Sequence, residues 1–116
     1  MKKQRNYSAY LNDIYDSIKK GISFTDKMTY EEFERDEKTQ YAVIRAIEII
    51  GEASKKIPDK IKAQSEETPW REISGMRDLL IHDYFVVNTR VVWETVKNDL
   101  PELKEKIKKL IQDFKL

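Results

Sequence analysis

From Glu37 to about Lys56 runs a stretch in which Tyr41, Val43, Ile44, Ala46, Ile47, Ile49, Ile50 and Ala53 cover nearly the whole circumference of a helix. A helix of that kind must be buried on most sides, so the rest of the chain has to wrap around it. With 116 residues there is material for one compact domain and too little for two, and the chain is read as a single unit over residues 1–116. One polar line interrupts the apolar surface: Arg45, Glu48 and Glu52, at i, i+3 and i+7. It is either a solvent strip with an Arg–Glu helical pair worth ~0.3 kcal/mol, or an acidic edge lining a site or a dimer seam.

The flanking segments supply the wrapping elements. Tyr7, Leu11, Ile14, Ile18 and Ile22 recur at spacings of three and four and predict a helix over 7–22, weakened at its end by Gly21 and Ser23. Thr29 to Glu32 fits a capping box and predicts a restart at Tyr30; Asp36 can restart the chain again. Pro58 ends the long helix, because the residue before a proline avoids the α region. A short charged helix over 58–64 and a loop over 65–68 are expected next. Thr68 as N-cap and Pro69 at the first helical position start a central helix. Asn88 caps a helix over 89–98 with Val92, Trp93 and Val96 as its stripe. Asp99 to Glu102 reads as a second capping box, opening a last helix over 100–114 with Leu103, Ile107, Leu110, Ile111 and Phe114 facing inward. The expected fold is all-α: an antiparallel bundle of four to five main helices with one or two short ones.

Composition narrows the chemistry. Lys plus Arg number 22 and Asp plus Glu 21, a formal net charge of +1, so no global field holds a polyanion and any nucleic-acid contact must be local. There is no cysteine, which removes disulfides, thiolate catalysis and Cys-based zinc sites. The single histidine has no HxxxH or HExxH partner, which argues against a His-based metal site. No apolar run approaches the ~18 residues of a membrane span, and the N-terminus lacks the apolar core of a signal peptide, so a cytoplasmic location is expected.

The histidine lies in PWREISGMRDLLIHDY, residues 69–84, five positions after Arg77. With Ile73 at zero and about 100° per residue, Met76, Arg77, Leu80 and Tyr84 gather within about 60° on a core-facing side. Arg71, Gly75, Asp78 and His82 form a second, polar stripe opposite. Gly75 costs ~1 kcal/mol relative to Ala in a helix interior, and the usual reason is close approach of a backbone or a ligand. Such a face suits packing against a second element, for example the same helix of another subunit. Arg77 and His82 stand about 140° apart on an ideal helix, so their convergence needs a helix end near His82, a reaching Arg side chain, or a second copy of the chain. An ion-paired Arg77 and a hydrogen-bonded surface His82 remain an alternative on spacing alone.

The motif GMRDLLIHDYF, preceded by PW and followed by VW and DLP, resembles the HepT-like branch of the HEPN superfamily. The resemblance runs upstream through Phe33 to Pro58 and downstream to Pro101. It implies a homodimeric ribonuclease toxin of a toxin–antitoxin pair, encoded beside a minimal, MntA-like nucleotidyltransferase that serves as antitoxin, with RNA as substrate, tRNA being one candidate. It implies metal-independent cleavage with no cofactor: attack of a ribose 2′-hydroxyl on the adjacent phosphate, with His82 moving the proton, Arg77 stabilising phosphorane charge and Asp78 orienting one or both. It also implies that Tyr84 is the hydroxyl adenylylated by the partner, placing phosphates where they block the anion site and repel RNA. Gly75, Glu48 and Glu52 are candidates for lining the site or the dimer seam. The alternative within the superfamily is a non-catalytic module that pairs with a nucleotidyltransferase or binds nucleotide.

Overall fold

The chain's structure, a computed structural model, describes residues 6–80 and 87–113, with the side chains of 77–80 also outside that description. Over these residues the elements are α1 (Tyr7–Phe24), α2 (Tyr30–Glu34), α3 (Glu37–Ser54), α4 (Asp59–Lys62), a 3₁₀ turn (Ala63–Ser65), α5 (Trp70–Leu80), α6 (Thr89–Glu94), a π-helical turn (Thr95–Asp99) and α7 (Leu100–Asp113). The architecture is an all-α bundle. Helix α3 is its centre and packs against α1, α2, α5 and α6, while α7 lies along α1. Val43, Ile47 and Ile50 of α3 are fully buried together with Leu11, Ile14 and Ile18 of α1 and Leu100, Ile107 and Leu110 of α7.

Most starts are set by local caps. Asn6 accepts from the Ser8 amide at 2.9 Å. Asp36 accepts from the Thr39 amide at 3.0 Å and the Thr39 hydroxyl at 2.6 Å, and Asn88 accepts from the Val91 amide at 3.1 Å. The capping box at α2 is complete: the Thr29 hydroxyl accepts from the Glu32 amide at 3.1 Å and the Glu32 carboxylate from the Thr29 amide at 2.8 Å. It holds a five-residue helix whose Phe33 is wholly buried.

Two glycines of the central pair are packing points. A Cβ on Gly21 would stand 3.1 Å from the Leu100 side chain and 3.9 Å from the Ala46 Cβ, so α1 continues to Phe24 instead of fading at Gly21. Farther back on α1, Tyr10 and Asp13 share a groove with Ile49, Glu52, Ala53 and Lys56. The start of α1 therefore meets the end of α3, and the two run antiparallel.

Three expectations are corrected. Tyr41, counted among the residues covering α3, is 67% exposed. Thr68 does not act as the expected N-cap: its buried hydroxyl pairs with that of Ser65, and α5 begins one residue late, the Pro69 carbonyl accepting from the Ile73 amide at 3.0 Å. The third concerns Asp99, where no new helix starts: α6 passes through the π turn into α7 without a break. The cause is visible in the spacing. Val92, Val96 and Leu100 are all buried and recur every four residues, and a regular helix would carry such a stripe round by about 40° at each step. The wider turn takes up that drift. Leu100 donates to the Thr95 carbonyl, an i to i−5 bond, in the region where Pro101 has no amide to give and its ring would crowd the carbonyl of Lys97 in ordinary winding.

Candidate functional site

Helix α5 carries the motif, and its attachment is polar as well as apolar. Ile73 and Met76 are buried at 1% and 9% exposure, the two described members of the expected core-facing side. At the crossing with α3, a Cβ on Gly51 would stand 3.3 Å from the Ile73 carbonyl oxygen and 3.6 Å from that of Ser74. The Ser54 hydroxyl donates to the Gly51 carbonyl at 2.8 Å and lies 2.9 Å from the Ser74 hydroxyl. At the start of α5 the Trp70 indole donates to the Ser65 carbonyl at 3.2 Å and to the Lys62 carbonyl at 3.3 Å. Rotation of α5 is thus resisted at both the Trp70 end and the Ser74 crossing.

On the other side Arg71 is exposed and Gly75 half-buried, and a Cβ on Gly75 would meet nothing within 4 Å among the described residues. Among the described residues, a close helix approach is made at Gly51. Arg77 and Asp78 fall in the last turn of α5, with their side chains outside the described residues. His82 and Tyr84 lie outside them altogether.

The acidic line of α3 is at the surface. Arg45 and Glu48 form a long helical ion pair at 3.7 Å, and Glu52 opens on the shallow groove between α1 and α3. Gly75 sits on α5, which crosses α3 at Gly51 and Ser74.

Beside α5 is a cleft of about 280 Å³ with Ile73, Met76 and Leu103 in its wall and Glu72, Asp99 and Glu102 at its edge. Partial burial pushes the Asp99 carboxyl above its ordinary value, and the neighbouring carboxylates of Glu102 and Glu94 add to the rise.

Sequence reading missed an aromatic corner between α2 and α6. Trp93 packs against Phe33, ring centroids 5.4 Å apart, and edge-on against Tyr30 at 5.9 Å. The Tyr30 hydroxyl meets that of Thr89 at 3.0 Å. The Arg90 guanidinium lies 3.9 Å above the Tyr30 ring and the Lys97 ammonium 4.7 Å from the Trp93 ring. The only local signal was misleading, because Arg90 and Glu94 are spaced for a helical ion pair whereas the guanidinium stacks on a ring 60 positions away in sequence.

The described helical frame, from α1 to α7, coincides with a stretch recognisable in other proteins. The family model for HepT-like ribonucleases matches residues 14–110. The chain belongs to the HepT-like ribonuclease family, within HEPN. A Thermococcus cleftensis protein named "Probable ribonuclease HepT" is 53% identical over 107 residues, covering 92% of this chain and 97% of that one. A Methanocaldococcus jannaschii protein named as a putative RNase is 46% identical over 111 residues, 96% of each chain. A Caldanaerobacter subterraneus protein named in the same way is 40% identical over 106 residues, 91% of this chain and 95% of its own. No solved structure matches the chain. Family membership turns the position of α5 into the frame of a HepT-like motif. Among the described residues, no helix is long and apolar enough to cross a membrane.

Proposed function

We propose that this chain is the homodimeric toxin of a toxin–antitoxin pair, a metal-independent endoribonuclease. The observation that carries the reading is the motif from Gly75 to Tyr84 in a chain that matches the HepT-like family over residues 14–110. Each protomer is a single HEPN domain with one copy of the motif, and the dimer brings two copies together across a two-fold seam on the side of α5 where Gly75 has free space among the described residues.

In this reading His82 takes the proton from a ribose 2′-hydroxyl as the oxygen attacks the adjacent phosphorus. The P–O5′ bond breaks, and a proton delivered by His82, of the same or the second subunit, goes to the leaving 5′-oxygen. The products are a 2′,3′-cyclic phosphate and a 5′-hydroxyl. Arg77 carries the charge of the phosphorane on its planar donor fork, and Asp78 orients the two groups. A minimal nucleotidyltransferase silences the site by transferring adenylate from ATP to the Tyr84 hydroxyl with release of pyrophosphate. The added phosphate then occupies the anion site.

The test is cleavage of RNA in the presence of EDTA by the wild type, Arg77→Ala and His82→Ala. Loss of at least about 100-fold in both variants is expected, with cyclic phosphate ends on the wild-type fragments. Equal fragmentation by all three proteins refutes the assignment. Complete inactivity of the wild type, with a nucleotidyltransferase still bound, favours the non-catalytic module. Incubation with that transferase and ATP should add one adenylate mass, which Tyr84→Phe abolishes.

A further inference from the structure

We propose that the α2–α6 corner is a platform for single-stranded RNA beside the cleavage site, with Arg90 stacked on Tyr30 as its phosphate and base contact and Lys97 over Trp93 as its second cation. The proposal rests on the ribonuclease reading and adds to it where the substrate lies.

The first argument is the state of the two cations. Arg90 is exposed, and among the described residues it makes no ion pair; its guanidinium carbon lies over the Tyr30 ring, 3.9 Å from the ring centre. A stacked guanidinium is held in one plane with its N–H fork at the edge, which is the arrangement that meets a phosphate bidentately. Its outer face is a flat cation on which a nucleobase can stack. The Tyr30 ring beneath is itself fixed, edge-on to Trp93 and hydroxyl to Thr89. The Lys97 ammonium is anchored by donating to the Thr25 carbonyl at 2.9 Å while facing the Trp93 ring, which leaves it further donors.

The second argument is charge economy. A chain with a net charge of +1 has no broad field to hold RNA, so cations held in place against a rigid aromatic corner are the ones able to act locally. Glu31, Glu34 and Glu94 sit in the same helices, and Glu34 accepts from the Tyr30 hydroxyl at 3.4 Å. They limit the contact to one or two phosphates and disfavour a broad duplex surface. The third argument is place. Arg90 is eight residues after His82 in the chain, so at ~3.4 Å per residue the two are at most about 27 Å apart whatever the path. A strand cut at His82 has its flanking nucleotides within reach of this corner.

The experiment measures binding without cleavage. A short, fully 2′-O-methylated single-stranded RNA has no nucleophile and reports affinity alone. Its Kd is measured against KCl concentration for the wild type, Arg90→Ala, Arg90→Lys and Lys97→Gln, each checked for unchanged helicity and melting. Arg90→Ala should weaken binding about fivefold or more at low salt and lower the magnitude of the log–log salt slope by about 0.7. Arg90→Lys should restore the slope but not the full affinity, since an ammonium keeps the charge and loses the stacked fork. Affinity and slope equal to wild type in Arg90→Ala overturn the platform, as does absence of RNA binding by the wild type. Cleavage of an unmodified dinucleotide, whose single phosphate is the scissile one and leaves none for Arg90, is followed in parallel: it should be unaffected by Arg90→Ala and abolished by His82→Ala. Loss of oligonucleotide binding in Arg90→Ala with no cleavage by any protein would keep the platform and remove the ribonuclease reading.

Discussion

Two glycines that look alike in sequence have opposite roles at the residue scale. Gly51 sits where the α5 backbone leaves 3.3 Å for a Cβ, and the obstructing atom is a carbonyl oxygen of a packed helix. Gly51→Ala gains about 1 kcal/mol of helix propensity and costs about 1–3 kcal/mol in overpacking. A net loss of about 1 kcal/mol in denaturant unfolding is expected, and a stabilised variant would show that α5 moves aside. Sequence reading singled out Gly75 for approach by a second element, such as the same helix of another subunit, because it lay in a polar stripe near the histidine. It passed over Gly51 because the partner that needs the space is more than 20 positions away. Tyr41 failed for the same reason: its apolar neighbours along α3 suggested burial, and only the assembled bundle shows it largely exposed, uncovered by any described residue.

Helix starts, at the scale of elements, were legible where the cap is a closed local exchange. Thr29 with Glu32, Asp36 with Thr39 and Asn88 with Val91 each complete their bonds within three residues, so the string of letters contains the whole interaction. Asp99 to Glu102 has the same letters, but the packing of Val96 and Leu100 keeps the chain helical through it. The result is an Asp beside Glu102 and Glu94 with its carboxyl pushed up. A carboxyl whose folded pKa is raised means that the folded state holds its proton more tightly than the unfolded chain. Relative stability from this group is therefore full below the unfolded value and declines as pH rises through the folded one. Asp99→Asn should raise the melting temperature at pH 7 by about 1–2 °C, with the gain vanishing below about pH 4. A gain that persists undiminished in acid would point to a cause other than charge.

The seam is a question for the whole molecule. An α3 apolar nearly all round demanded a bundle, and the bundle formed around it; the motif required the chain's resemblance to a family, because R-x4-H alone does not specify a chemistry. The described structure contributes the frame of α5, locked at Trp70 and Ser74, with free space over Gly75. Gly75→Gln should leave protomer stability unchanged or raise it by up to ~1 kcal/mol, and should shift the proposed dimer to monomer in sedimentation. A dimer that persists unchanged would move the seam elsewhere.

The π turn at Thr95–Asp99 also acts as a phase adjuster between two faces of one continuous rod. It lets α6 aim Arg90, and the turn itself Lys97, at the α2 corner while α7 keeps its stripe on α1. Its i to i−5 bond holds one residue more than an ordinary turn, so removing one residue there, for example the exposed Asn98, should close it to ordinary α winding and leave the downstream side chains near their present phase. The same deletion in the regular part of α7, for example at the exposed Glu105, turns every downstream side chain by about 100° and should be as damaging as a large cavity in the core.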